Sequence, residues 1–173
     1  MAMSRMKTCE LTGSEQKVLW VLRMMAEKNS STPSIVLRFL HEWFGLANIE
    51  RSFVAFERLV DDLCEALGEV VGSVRQSELV DEEMRILSLV AACQEGPTGF
   101  GGRIARELVG PAGCQRLHVN ASELGRLTAD AGLFLPVRLA WKEPSRTILP
   151  ALGCAMPESR PRAQDYTTNI VLS

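Results

Sequence analysis

The sequence predicts a mainly α protein: two tandem three-helix units packed as one bundle, with a short β ribbon of about 69–75 with 133–141 closing them together. Three observations lead there. A helical pattern over Ser14 to Lys28 recurs 67 positions later, over Asp81 to Glu95. Behind each copy come two further stretches with apolar residues spaced in threes and fours and divided by Gly, Pro or Asn. Behind each trio the pattern turns β-like, at Val70, Val71 and Val74 and again from Leu133 to Trp141.

Met1 to Thr12 is expected to be a loose leader, with Gly13 as the break and Ser14 as the cap of the first helix. Leu19, Leu22, Met25 and Ala26 form its apolar stripe, and Asn29-Ser30-Ser31 ends it. Thr32-Pro33 restarts the chain, because a proline at the first helical position gives up an N–H that has no partner anyway. The second helix then carries Val36, Leu40, Trp43 and Phe44, and Gly45 closes it. Asn48 is placed to cap a third helix with Phe53, Phe56, Val60, Leu63 and Leu67 on one face, stopped by Gly68.

In the second copy Ile86, Leu89, Ala92 and Cys93 repeat the stripe under an Asp81 cap, and Gly96-Pro97 stops it. A short helix with Ile104, Leu108 and Val109 should end at Gly110-Pro111. A third, capped by Asn120 or Ser122, should present Leu124, Leu127 and Ala131 and end at Gly132. The first copy holds Trp43, Phe44, Phe53 and Phe56 where the second holds mostly Leu, Ala and Gly, so the first is expected to dominate the core. From Leu133 the apolar residues alternate, with Pro136 restricting any strand to an edge. The helical domain is thus read as 13–142, its units as about 13–75 and 80–141, and 143–173, with Pro144, Pro150, Pro157 and Pro161, as a Pro-containing tail.

Composition narrows the function classes. A net charge of -2 and a pI near 5.8 give no overall pull toward nucleic acid, and Glu50, Glu57, Asp61, Asp62 and Glu65 would repel phosphate from the third helix. No run approaches the roughly 18 apolar residues of a membrane span, and no apolar stretch follows Arg5 and Lys7 as in a signal peptide. The five cysteines form no C-x-x-C pair and their number is odd, which fits a reducing cytoplasm.

Candidate chemistry is sparse. Gly99-Phe100-Gly101-Gly102-Arg103 before a helix is the nearest approach to an anion cradle, with Gly101 and Gly102 supplying backbone N–H groups and Arg103 a charge. It lacks both the Walker and the dinucleotide fingerprints, and a plain interhelical loop is the simpler reading. His41 and His118 are the only histidines. Cys114 and His118 would share a face only if that segment were helical, against which Gly110, Pro111 and Gly113 argue. No catalytic set, metal site or cofactor is expected. Trp43 and Trp141 are the candidate contact residues for a protein partner or for self-association.

The order Val80-Asp81-Glu82-Glu83-Met84-Arg85-Ile86-Leu87 with Ala91-Ala92-Cys93-Gln94, then Glu107-Leu108-Val109-Gly110-Pro111 and Ala131-Gly132-Leu133-Phe134-Leu135-Pro136, resembles a group of small Ala/Leu-rich bacterial helical proteins with no assigned activity. The resemblance covers about residues 11 to 137 and the tail departs from it. It implies a helical fold and brings no catalytic residues. The expected function is a non-catalytic helical interaction, adaptor or regulatory domain; the alternative is an anion- or small-molecule-binding regulator using the Gly99–Arg103 stretch, and an enzyme, which would need His41 or His118 to meet a carboxylate in a deep pocket, comes third.

Overall fold

In the computed structural model, which describes residues 6–27, 32–68, 72–96 and 99–138, the chain folds into α1 Gly13–Ala26, α2 Thr32–Phe44, α3 Ile49–Leu67, α4 Asp81–Gln94 and α5 Gly99–Asp130. No strand occurs among the described residues. Trp141 and 143–173 lie outside them.

The start of α1 is set by Thr12, two residues before Ser14. Thr12 Oγ1 accepts the Glu15 N–H at 3.3 Å while the Glu15 carboxylate accepts the Thr12 N–H at 2.7 Å, a reciprocal cap. α4 opens in a related way: the Glu83 carboxylate takes the Val80 N–H at 3.0 Å, and Asp81 is the first helical residue. Asn48 stands at the start of α3 without a side-chain cap. Gly45, Gly68 and Gly132 each turn the chain at a φ of 71° to 73°, a left-handed conformation that costs glycine nothing.

α5 bends at Gly110, whose φ of 74° divides it into arms 99–109 and 111–130. Pro111 then begins the second arm at the position where a proline is harmless. The helix therefore resumes about ten residues before the expected caps Asn120 and Ser122, which sit mid-helix; Ser122 Oγ donates back to the His118 carbonyl at 2.7 Å. Cys114 and His118 do lie on an ordered helix.

The leader is packed, at least from Met6 onward. Thr8 N–H donates to the Ser77 carbonyl at 2.8 Å and Leu79 N–H to the Met6 carbonyl at 3.0 Å, around an antiparallel bridge of Lys7 with Glu78. Leu11 and Leu79 are both buried in the core.

The ribbon expected between 69–75 and 133–141 is absent from its described parts, 72–75 and 133–138, because helix side chains consume the backbone groups a ladder would need. Gly72 N–H goes to Glu83 Oε1 and Val74 N–H to Glu27 Oε1, both at 2.9 Å. Gln94 takes the Leu135 N–H at 2.9 Å and gives a hydrogen bond to the Leu133 carbonyl at 2.7 Å. Both segments are straps laid over helix ends, the first turning at Ser73–Gln76; in the second, Leu133 and Leu135 are buried and Phe134 is exposed as the alternation predicts, while Val137 is exposed against it.

The core is shared more evenly than the aromatic count suggests. Of the largest side chains buried almost completely, Leu22, Leu40, Phe56, Leu59 and Leu63 come from α1 to α3, and Ile86, Leu87, Leu89, Ile104, Leu117, Leu124 and Leu127 from α4 and α5. α4 is buried on every side from Ile86 to Cys93. Gly125 lets α5 approach that closely: a Cβ there would stand 3.0 Å from the Cys93 carbonyl carbon. α3 and the second arm of α5 run antiparallel, joined by Arg51 to Glu123 at 2.8 Å and by Asp62 to Asn120 at 2.6 Å.

Two buried ion pairs tie the straps down. Arg23 donates to both Glu83 oxygens at 2.7 and 2.8 Å and to the Gln76 and Glu78 carbonyls at 2.6 and 3.0 Å. Arg138 donates to both Glu15 oxygens at 2.6 and 2.8 Å and to the Glu10 carbonyl at 3.4 Å.

Candidate functional site

α1 and α2 meet along a seam whose outer side is only half-buried. On α2, Val36, Leu40 and Phe44 point into the core, which leaves Ile35, Phe39 and Trp43, also four residues apart, along the outer side. On α1, Val18, Leu22 and Met25 are buried while Trp20 and Met24, four apart, are only half-buried. The two rows face each other.

Three rings fill the seam. Trp20 stands edge-on to Phe39 at 4.6 Å between centroids and to Trp43 at 6.3 Å, and Phe39 is tilted against Trp43 at 5.5 Å. Such arrangements suit the ring quadrupoles. Two cations cover the rings: Lys17 Nζ lies 5.3 Å from the Trp43 centroid and Arg38 Cζ 5.3 Å from that of Phe39. Ile35 remains 38% exposed beside them. A cleft of about 370 Å³ adjoins Trp20, lined also by Thr8, Cys9, Gln16 and Val74.

Trp43 is therefore brought into a cluster. The sequence reading missed Trp20 and Phe39, although the i, i+4 pairing of Phe39 with Trp43 and a tryptophan on the preceding helix were visible signals. Trp141, the other candidate contact residue, is outside the described residues.

Gly101, Gly102 and Arg103 lie within the first turns of α5, not in a loop. Gly101 is buried, and a Cβ on it would stand 3.0 Å from His118 Nε2 and 3.1 Å from Cys93 Sγ, so close helix packing explains this glycine. At Gly102 the nearest atom to such a Cβ is His118 Nδ1 at 3.9 Å, an ordinary contact. The Arg103 guanidinium lies 5.6 Å from the Phe100 ring centroid.

The remaining titratable candidates are dispersed. His41 is exposed on α2. Cys93, His118 and Ser122 gather beneath Gly101; burial pushes the Cys93 thiol above its ordinary value, partly offset by a hydrogen bond with Ser122, which leaves it a poor nucleophile. Glu57, Asp61 and Glu65 are exposed along α3, while Asp62 is buried and paired with Arg116 and Asn120. Among the described residues no group of three or more His, Cys, Asp or Glu is placed to hold a metal ion, and no helix is long and apolar enough to cross a membrane. A shallow cleft of about 660 Å³ between α3 and α5 is lined by Asp62, Glu65 and Arg116, which are already paired with one another.

No protein-family model, no curated protein and no solved structure matches this chain.

Proposed function

We propose that this chain is a non-catalytic helical interaction domain, an adaptor or regulator, and that the α1–α2 seam is the face through which it binds another protein. The observation that carries the reading is the half-exposed cluster of Trp20, Phe39 and Trp43 with Ile35 beside it. Aromatic clusters with cations at the rim have the composition of protein-binding hot spots. Free Cys9, Cys64, Cys93 and Cys114 support a place in the cytoplasm.

The proposal includes two related helical trios. It is supported by starts of α1 and α4 that correspond at a spacing of 68 residues, with Glu10, Leu11 and Glu15 matching Glu78, Leu79 and Glu83 in both sequence and bonding.

A photo-crosslinking residue at position 35, in the full chain in its own cells, tests the interaction reading. The expected result is one dominant adduct, with a second copy or with another protein, that disappears in Trp43→Ser. A chain that gives no adduct and is monomeric by light scattering would refute it. Anion binding at Gly101, Gly102 and Arg103 is the alternative; it predicts stabilisation by phosphorylated metabolites that Arg103→Ala abolishes.

A further inference from the structure

Resting on the interaction reading, we infer that the α1–α2 seam takes an acidic amphipathic helix as its partner. The first observation is that the seam, although filled by rings, keeps those rings partly in solvent. Between α4 and α5 the glycines Gly101 and Gly125 allow contact so close that a single Cβ would collide, and α4 is wholly covered. Between α1 and α2 the rings of Trp20, Phe39 and Trp43 occupy the same kind of crossing, and Trp20, Met24, Phe39 and Trp43 stay half-buried. The solvent-facing parts of these side chains, with Ile35 38% exposed beside them, form an apolar strip on which the apolar face of a third helix can lie.

The second observation is charge. Lys17 and Arg38 are held over the rings at the rim, and among the described residues neither has a carboxylate partner, whereas Arg23, Arg51, Arg116, Arg126 and Arg138 all do. Phe39 and Trp43 are one turn apart, about 6 Å along the helix, so the cations above them suit carboxylates at i and i+3 or i+4 of a partner helix. Glu42, one turn beyond Arg38, is the exposed acid on this stretch of α2 and opposes the effect. Apolar side chains of the partner would enter between Ile35, Phe39 and Trp20 while its flanking carboxylates meet Lys17 and Arg38.

The probe is a fluorescein-labelled synthetic amphipathic peptide with a Leu/Phe face and Glu flanks, compared with a twin whose Glu are all Lys and with anionic phospholipid vesicles. Binding to the full chain is read by anisotropy for the peptides and by co-flotation for the vesicles. The acidic peptide should bind at least about tenfold tighter than its twin, since two exposed ion pairs are gained and two like-charge contacts avoided. Lys17→Glu with Arg38→Glu should reverse the preference, and Glu42→Lys should strengthen binding of the acidic peptide. Circular dichroism should be unchanged, because these side chains are on the surface. Equal binding of both peptides, binding of neither, or binding of vesicles alone would each overturn the inference. A crosslink from position 35 alongside such a result would show that the interaction reading survives with a partner of other chemistry.

Discussion

Arg23→Met removes the centre of the more deeply buried ion pair, and its cost follows from what it leaves behind. The Glu83 side chain is fully shielded from solvent and would keep only the N–H groups of Gly72 and Val80, while the carbonyls of Gln76 and Glu78 would lose their guanidinium donors. Stranding one member of a buried pair costs about 3 to 5 kcal/mol. For a domain of this size that lowers the midpoint of thermal unfolding by about 10 to 20 °C. Arg138→Met should cost less, about 1 to 3 kcal/mol, because Arg138 is 26% exposed and water can enter beside Glu15. Arg23→Met combined with Glu83→Met leaves no unpaired charge and should be no worse than Arg23→Met alone. Urea unfolding of full-length variants, followed at 222 nm, measures all three. A loss below about 1 kcal/mol for Arg23→Met, or a loss no larger than that of Arg138→Met, would refute the reasoning.

Three other outcomes are expected. Gly125→Ala and Gly101→Ala should each destabilise by about 1 to 3 kcal/mol, Gly125→Ala more because its new methyl meets backbone, while Gly102→Ala should be neutral or stabilising as in any open helical site; equal losses at all three in urea melts would contradict the packing account. Cys9, exposed, should react with a thiol reagent in the native state and Cys93 only after unfolding, as peptide mapping of the labelled sites would show; prompt native labelling of Cys93 would be the contrary result. Burial pushes the Glu15 carboxyl up, but hydrogen bonds from Arg138 and Thr12 outweigh it and hold the group below its ordinary 4.5. Its contribution is therefore present above pH 4.5 and lost as pH falls through the lower folded value, so the stability advantage of wild type over Glu15→Gln should shrink below pH 4.5 and be constant above it; an advantage unchanged down to pH 3 would contradict this.

Helix existence was legible because the apolar spacing that marks each helix also buries it: Val36, Leu40 and Phe44, or Ile86 and Leu89, are core residues on the faces the pattern indicates. Where the reading failed, side chains had taken over work usually done by backbone. The alternation holds from Leu133 to Leu135 and fails at Val137, which is exposed, and its hydrogen bonds go to Gln94; a glutamine 41 residues away leaves no local trace. The kink at Gly110 looked like an end because Gly-Pro terminates most helices; here glycine supplies the turn and proline the restart. The correspondence between the starts of α1 and α4 is offset by one residue from the 67-residue spacing of the apolar stripes. Apolar stripes align at 67 as well as at 68 because α4 is buried on every side from Ile86 to Cys93, whereas the charged framework Glu-Leu-x-x-x-Glu at Glu10 and Glu78 aligns only at 68, where each glutamate has a distinct bonding role. Of the seam rings Trp43 was singled out, while Trp20 and Phe39 were passed over because aromatic residues at helical spacing read as core until their tertiary placement is known.

The two straps explain how α1 and α4 are held although they pack sparsely against each other. One strap leaves α3, is caught by Glu27 at the end of α1, and is fastened by Arg23 and Glu83 at the start of α4. The other leaves α5, is caught by Gln94 at the end of α4, and is fastened by Arg138 to Glu15 at the start of α1. Each strap thus joins the end of one helix to the beginning of the other, so the ties form a closed circuit around a thin contact. Because the outer side of α1 is spared from packing on α4, it is free to carry Trp20 and Lys17 against α2. Weakening either clip should loosen α1 as a unit, and peptide binding at the seam should weaken with it even though the hydrogen-bond partners of Arg23 and Glu15 lie on the straps and caps and not on the seam rings.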